Sequence, residues 1–500
     1  MKKKILWLLL LAVCVVIFPL TAKETKAETE GDWEFSYYNP GVSVDAYNGT
    51  DENVVVPEKL GGEDVKVIDG RAFSENENVK TVKLPSSVTY IGEWAFSGCT
   101  SLTEITIPAS VTYIGENTFS GCTSLTEVTI PSSITSIGMW AFSRCTSLTE
   151  ITIPSSVTRI GDGAFSRCTS LSKITIPSSV TEIGDGAFSG CTSLSKITIP
   201  SSVTYIGKEA FAGTKWLSDK QNENPYVVIN GILIDVSKAG TYLNIPDTVK
   251  KIRCDIPENV VNVTLSSSTN KIHSYMFADC KSLKKITIPS SVTYIGDNAF
   301  SGCASLTEIT IPSSVTDIGD GAFSMCMSLT EITIPSSVTY IGYKAFSRCE
   351  SLTEITVPSS VTYIGQEAFA ETKWLSDKQD ENPYVVINGI LIDVSKAGTN
   401  LNIPDTVKEI SCDIPKNIVS VTLPSSITEI YSNMFADCIS LKKVTIPSSV
   451  KWIEYEAFSG CTSLTEITIP SSVTSIGESA FSGCTSLSKI TIPSLSLIHI

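Results

Sequence analysis

A period of 23 residues dominates this sequence. Leu102–Ser124 reads LTEITIPASVTYIGENTFSGCTS, and the same pattern starts again at Leu125. One phenylalanine marks each repeat, and these phenylalanines fall 23 residues apart in three runs: Phe96, Phe119, Phe142, Phe165, Phe188 and Phe211; Phe277, Phe300, Phe323, Phe346 and Phe369; and Phe435, Phe458 and Phe481. A fixed period of this length indicates a solenoid, in which successive coils stack on one another.

The pattern inside one repeat predicts a short strand followed by turns. With Leu102 as position 1, apolar residues recur at positions 1, 4, 6, 10, 13, 17, 18 and 21. Positions 3 to 6 alternate between polar and apolar residues, which is the pattern of a half-buried strand. Proline at position 7 ends the strand, and glycine at position 14 permits a turn. One such coil leaves its strand edges and apolar row uncovered, so stacking is required for stability.

The consensus L-x-x-I-x-I-P-x-S-V-x-x-I-G-x-x-A-F-x-x-C resembles the BspA-like class of bacterial leucine-rich repeats over residues 33–493. The resemblance implies a repeat solenoid that is mainly β, curved and right-handed, with a parallel sheet on its concave side. It also implies a secreted or cell-surface protein that adheres to proteins of a host or of neighbouring cells. Counting the repeats gives about 19 coils, preceded by a small β-rich N-terminal cap.

The N-terminus reads as a secretory signal peptide, residues 1–27. Three lysines precede the apolar run Ile5–Leu20, and cleavage is expected after Ala22 or Ala27. Cys14 follows a valine where lipidation requires a small residue, which argues against a lipoprotein. No second run of 18 apolar residues follows, so we expect no membrane span in the mature chain.

The rest of the chain divides by how well it keeps the repeat. The second interruption is a near copy of the first, offset by 158 residues, and in both an Asn-Gly pair between apolar runs predicts a β-hairpin. The expected segments are a β cap at 28–72, repeats at 73–214, degenerate repeats at 215–276, repeats at 277–372, degenerate repeats at 373–434, repeats at 435–494 and an aberrant tail at 495–500. We interpret the tail as a truncated or frame-shifted reading that leaves an uncovered strand edge at Ile490–Ile492.

Charge and composition argue against several function classes. The net charge of −15 opposes binding to nucleic acid, which needs a basic surface, and to anionic membranes. The two histidines, His273 and His499, belong to no Ser/His/Asp arrangement, and neither a phosphate-binding loop nor an H-E-x-x-H motif is present. We therefore expect no catalytic residue, metal site or cofactor, and an enzyme is the remote alternative.

Fourteen cysteines remain after removal of the signal peptide, and twelve of them occupy position 21. These twelve are Cys99, Cys122, Cys145, Cys168, Cys191, Cys280, Cys303, Cys326, Cys349, Cys438, Cys461 and Cys484. Disulfides are normal in exported proteins, but parallel side chains at equivalent positions point the same way. We predict buried free thiols that act as small apolar side chains, with disulfides and a metal site as alternatives.

Position 12 holds the candidate binding residues. It accepts tyrosine and tryptophan but also Arg159, Glu182 and Asp317, a range that no core position would tolerate. Exposed tyrosine and tryptophan are typical anchors of protein interfaces. Together with two tryptophans at position 16, the candidates are Tyr90, Trp94, Tyr113, Trp140, Tyr205, Tyr294, Tyr340, Tyr363 and Trp452.

These residues favour a non-enzymatic adhesion or binding protein, secreted or at the cell surface. The expected partners are extracellular proteins, either of a host matrix or on the surface of other cells. The alternative for the tyrosines is that they cover the apolar row behind them. In that case the chain is a passive structural spacer without a specific ligand.

Overall fold

Two short strands lie in most coils of the computed structural model, which describes residues 27–491. We call the strand at positions 3–5 the A strand and the strand at positions 12–13 the B strand. The A strand exposes positions 3 and 5 and buries position 4, as in Glu104–Thr106, and the B strand buries position 13. The predicted signal peptide, Cys14 and the tail at 495–500 lie outside the described residues.

The chain divides into two units, Met1–Asn222 and Glu223–Ile500. In unit 1 the A strands are Thr81–Lys83, Glu104–Thr106, Glu127–Thr129, Glu150–Thr152, Lys173–Thr175 and Lys196–Thr198. The B strands of unit 1 are Tyr90–Ile91, Ser136–Ile137, Arg159–Ile160, Glu182–Ile183 and Tyr205–Ile206. Ile114 takes the place of a B strand through single bridges to Ile91 and Ile137. All of these strands pair in parallel with their counterparts in adjacent coils.

Unit 2 repeats this arrangement. Its A strands are Tyr242–Asn244, Asn262–Thr264, Lys285–Thr287, Glu308–Ile309, Glu331–Thr333, Glu354–Thr356, Asn400–Asn402, Ser420–Thr422, Lys443–Thr445, Glu466–Thr468 and Lys489–Thr491. Its B strands are Lys251–Ile252, Tyr294–Ile295, Asp317–Ile318, Tyr340–Ile341, Tyr363–Ile364, Glu409–Ile410, Glu429–Ile430, Trp452–Ile453 and Ser475–Ile476. Partners share the same repeat position, as in Glu331↔Glu354 and Tyr340↔Tyr363.

The first six strands lead into the rows of A strands and B strands of unit 1. They are β1 (Glu28–Glu30), β2 (Trp33–Tyr37), β3 (Val42–Tyr47), β4 (Asn53–Val55), β5 (Lys59–Leu60) and β6 (Glu63–Ile68). Strands β1, β2 and β3 are antiparallel neighbours, and β3 pairs in parallel with β6. Strand β6 then pairs with the first B strand, and β4 pairs with the first A strand.

The predicted mainly-β solenoid with a 23-residue repeat is confirmed. Counting β4, seven A strands lie in unit 1 and eleven in unit 2, and each interruption adds one turn without an A strand. The described residues therefore form about 20 turns, one more than predicted, because Lys489–Thr491 begins a further coil.

Both interruptions contain a helix that the sequence analysis missed, α1 (Lys215–Glu223) and α2 (Lys373–Glu381). Thr372 replaces the position-21 cysteine and is the N-cap of α2, because its hydroxyl accepts from the Leu375 N–H. The helix buries Trp374, whose ring centroid lies 5.1 Å from that of Phe369. Thr214, Trp216 and Leu217 repeat this arrangement in α1.

A hairpin follows each helix. Val227–Ile229 pairs antiparallel with Ile232–Asp235, and Val385–Ile387 pairs in the same way with Ile390–Asp393. Asn230 and Gly231 form the first turn with φ of 50° and 78°, the left-handed values that a two-residue turn of this kind requires.

Stacked phenylalanine rings form the centre of the core. From Phe73 to Phe211, consecutive ring centroids lie 4.9–5.6 Å apart, with interplanar angles of 2–18°. The run from Phe277 to Phe369 has the same geometry, at 5.2–5.7 Å. Each ring thus contacts its equivalents in the adjacent coils, which is why one phenylalanine recurs every 23 residues.

Position 21 is cysteine because its thiol bonds to the adjacent coil. Cys122 Sγ donates to the carbonyl oxygen of Phe96 at 3.1 Å, and Cys145 bonds in the same way to Phe119 at 3.2 Å. All fourteen cysteines among residues 27–491 are free thiols. Burial raises the pKa of the Cys145 thiol from 9.0 to about 12.

Glycine at position 14 is required by the close approach of adjacent backbones. A Cβ atom on Gly138 would lie 2.6 Å from the carbonyl carbon and oxygen of Gly115, closer than non-bonded atoms allow. Gly115 itself has more room, since its nearest neighbours would lie 3.4 Å from an added Cβ.

We expect Gly138→Ala to lower the free energy of unfolding by about 1–3 kcal/mol, because the new Cβ forces two backbones apart. Urea denaturation followed by circular dichroism measures the change. Gly115→Ala, at the same repeat position, is the matched control and is expected to change the free energy by less than about 0.5 kcal/mol. Equal effects of the two substitutions would contradict this account.

The buried thiols are expected to react slowly with an aromatic disulfide reagent at pH 8, because the reactive thiolate is disfavoured by burial. After unfolding without reductant, close to fourteen thiols per chain should react. Folding raises the pKa of the Cys145 thiol, so the burial of the neutral thiol stabilises the folded state. This stabilisation is complete below the unfolded pKa of 9.0 and is lost as the pH rises toward 12. Thr106→Cys, which places a thiol on the exposed A-strand face, should react rapidly. Four or fewer thiols after unfolding would mean that the cysteines are paired.

Candidate functional site

Position-12 side chains lie in rows because the B strands pair in register. Each B strand places the same repeat position opposite its equivalent in the adjacent coil, as Tyr340↔Tyr363 shows. Position 16 follows in the next turn of the same coil. We call the surface formed by positions 12, 15 and 16 the B-strand face.

Four of the predicted residues occupy three successive coils of unit 1. The exposed fractions are 41% for Tyr90, 37% for Trp94, 39% for Tyr113 and 43% for Trp140. Tyr205 is less exposed than these four residues, and its B strand is the third after that of Ser136, so Tyr205 does not belong to this group. Burial raises the pKa of Tyr90, and the nearby carboxylate of Glu93 raises it further.

Both tryptophans at position 16 have a backbone conformation that bulky side chains rarely adopt. The φ angle is 64° at Trp94 and 50° at Trp140, in the left-handed region that costs an L-residue about 1–2 kcal/mol. The Trp140 N–H donates to Asp162 O at 2.8 Å, so this conformation is fixed by the adjacent coil. Glycine fills position 16 in some coils, as Gly186 does, and other residues such as Glu209 adopt the same conformation elsewhere.

The Trp140 indole lies directly against the next coil. A Cβ on Gly163, the equivalent of Trp140 in that coil, would lie 1.9 Å from the indole Cδ1. Gly163 therefore leaves the space that the ring occupies. The ring is held by this contact while 43% of the residue stays exposed.

In unit 2 the structure brings together Tyr340 and Tyr363 but separates the others. The two rings stack with centroids 4.7 Å apart and 3° between their planes. Burial, followed by the carboxylate of Asp320, raises the pKa of Tyr340 to about 12. Tyr294 is two B strands from Tyr340, with Asp317 between them.

Trp452 lies apart from the other candidates of unit 2. Its register partners are Glu429 and Ser475, and 41% of the residue is exposed. The Lys451 ammonium lies 6.0 Å from the centroid of the indole ring, at the outer limit of a cation–π contact.

Sequence reasoning passed over several exposed residues of the same face. Met139, Tyr343 and Tyr455 occupy position 15 and are 37%, 42% and 47% exposed, and Tyr431 occupies position 14. The free variation at position 15 was the available signal, and the selection of positions 12 and 16 missed it. Lys344 Nζ lies 4.8 Å from the centroid of the Tyr343 ring.

The A-strand face has a different character. It carries exposed ladders of identical side chains, such as Glu104↔Glu127 and Thr106↔Thr129. Within residues 27–491, no group of three or more His, Cys, Asp or Glu side chains is placed to hold a metal ion. None of the helices in that part of the chain is long and apolar enough to cross a membrane.

A model of the BspA type leucine rich repeat region matches residues 52–168, 124–230, 254–376 and 395–500. No curated protein matches the chain significantly.

Several solved structures are similar to this chain. A leucine rich repeat protein of Treponema pallidum, TpLRR, is 33% identical over 38% of this chain and 90% of its own, with a TM-score of 0.36. A leucine-rich repeat protein of Bacteroides ovatus is 26% identical over 96% of this chain and 90% of its own, with a TM-score of 0.31. A leucine rich cell surface protein of Faecalibacterium prausnitzii is 28% identical over 93% and 94%, with a TM-score of 0.30.

The family match covers most of the chain, and its repeats coincide with the stacked coils. The chain belongs to the BspA type leucine rich repeat family.

Proposed function

We propose that this protein is a non-enzymatic, extracellular protein-binding solenoid whose B-strand face recognises proteins of a host matrix or of other cells. The observation that carries the proposal is the exposed aromatic group of unit 1, which consists of Tyr90, Trp94, Tyr113 and Trp140. Trp94 and Trp140 are placed at a backbone conformation where glycine would cost less. The exposure of these bulky rings favours a role in recognition over a passive covering of the core.

Rigidity supports the same proposal. The aromatic side chains project from strands and turns whose backbone groups bond to the adjacent coils, as Trp94 N does to Glu116 O at 3.0 Å. Rigid aromatic residues contribute contact area at a small cost in conformational entropy. Repetition along the coils lets several weak contacts act together.

An extracellular location fits the N-terminal sequence. Lysines followed by Ile5–Leu20 and small residues are typical of a secretory signal peptide. The family itself supports a surface repeat protein, and the protein partners proposed here are those that such a location makes available.

Replacing Tyr90, Trp94, Tyr113 and Trp140 together with serine is expected to weaken binding at least tenfold, because aromatic anchors carry most of the energy of an interface. Serine already occurs at position 12 in Ser136 and at position 16 in Ser479, which has φ of 58°. The fold should therefore survive, which circular dichroism and thermal unfolding would verify. Binding is measured by surface plasmon resonance on immobilised fibronectin, laminin and collagen, and by pull-down with whole bacterial cells.

The matched control changes four exposed threonines of the A-strand face to serine: Thr106, Thr129, Thr152 and Thr175. This variant should bind like the unmodified protein. Equal loss in both variants would point to a general effect on the fold. Absence of any binding by the unmodified protein would favour a passive spacer and would contradict the proposal.

A further inference from the structure

The centre of unit 2 carries a tyrosine on each side of an aspartate. Tyr294, Asp317 and Tyr340 occupy position 12 of three successive B strands and are direct partners in the parallel register. Adjacent strands lie about 4.8 Å apart, so the two tyrosines start about 10 Å apart with the shorter aspartate between them. All three residues are half-buried. We call these three residues the tyrosine slot, with the tyrosines as its walls and Asp317 as its floor.

Hydrogen bonds hold three carboxylates at the tyrosine slot. Asp297 Oδ1 accepts from the Asp320 N–H at 3.0 Å, and Asp320 Oδ1 accepts from the Tyr343 N–H at 2.8 Å. Asp317 Oδ2 accepts from the Thr316 hydroxyl at 2.6 Å. An ionised carboxylate has about four acceptor sites, so each of the three retains capacity for a donor from outside the chain.

The slot is negative, and the nearest lysine of the position-12 row, Lys271, lies on the far side of Tyr294. Burial, followed by the charges of Asp297, Asp317 and Asp320, raises the pKa of Tyr294. Within residues 223–491 no lysine or arginine forms an ion pair with these carboxylates. Lys344, close by in sequence, has its ammonium 3.3 Å from Glu367 instead.

We propose that the tyrosine slot receives an arginine side chain from a basic, extended segment of the protein partner. The faces of aromatic rings attract cations, and a carboxylate at the floor pairs with the same group. A planar guanidinium needs about 3.5–4 Å on each side, which the gap of about 10 Å accommodates. Arginine suits the slot better than lysine, since its guanidinium stacks on rings and is more weakly hydrated.

Unit 1 offers an internal comparison. Asp162, Glu182 and Asp185 occupy the repeat positions of Asp297, Asp317 and Asp320, and Asp162 Oδ1 likewise accepts from the Asp185 N–H at 3.0 Å. There Glu182 lies beside Arg159, whose Nε is 3.6 Å from Glu182 Oε2. In unit 1 the chain itself thus supplies an arginine to Glu182, and in unit 2 Tyr294 takes the place of that arginine beside Asp317.

The inference rests on the proposed binding function and is tested separately from it, using the full chain and a fluorescein-labelled nona-arginine peptide. Fluorescence anisotropy in 0.15 M NaCl measures the affinity under conditions where distant charges are screened. Tyr294→Ser with Tyr340→Ser leaves the net charge unchanged, and Asp317→Asn removes one negative charge. Each variant should bind the peptide about tenfold more weakly, as expected for the loss of one or two cation–π contacts or a charge pair. Glu182→Gln removes the same charge at the equivalent position of unit 1 and should change the affinity less than twofold.

Nona-lysine should bind the unmodified protein more weakly than nona-arginine. Equal affinity of the tyrosine double variant and the unmodified protein would mean that net charge alone attracts the peptide, and the slot would then have no role. Undetectable binding of nona-arginine to the unmodified protein would also overturn the inference. If binding to matrix proteins persists in either case, the proposed function stands without the slot. If matrix binding is absent while the slot variants still weaken peptide binding, the tyrosine slot stands as an arginine site and the proposed binding of matrix proteins is wrong.

Discussion

Backbone hydrogen bonds between equivalent positions of adjacent coils are the constraint on which the rest of the structure depends. They fix the spacing between coils at one strand separation, so every side chain meets its own equivalent above and below. Stacked phenylalanines, thiols bonded to phenylalanine carbonyls and glycines at the closest backbone approach all follow from this spacing. The strict 23-residue repeat is therefore a consequence of stacking.

Most of the fold could be predicted because the repeat is a local pattern with a single physical solution. The A strands, the hairpin turns at Asn-Gly and the buried row all follow from residue order. Helices α1 and α2 could not be predicted in the same way, because the KWLSDKQ segment is short and largely polar. Its helical state depends on Trp216 and Trp374 packing at the end of a phenylalanine row, together with a threonine cap, and these contacts form only in the stacked structure.

The candidate surface was only partly predictable. Variation at position 12 identified a place where side chains face outward, and Tyr90 and Tyr113 are exposed there, but the second strand of the repeat was not predicted. The tyrosine slot depends on which residues occupy three consecutive coils, so no single repeat reveals it. Asp317 lies between two tyrosines, whereas Glu182 lies beside Arg159, and this difference is visible only when neighbouring coils are compared.

The contact between Trp140 and Gly163 makes these two coils an ordered pair. A tryptophan at position 16 fits when the following coil offers glycine at the same position. Coils of a repeat protein are often treated as interchangeable modules, but the position of the Trp140 indole allows only a coil with glycine at position 16, such as that of Gly163, to follow it. The order of the coils thus carries information that the repeat consensus does not, because a side chain at position 16 of one coil restricts the residue at position 16 of the next.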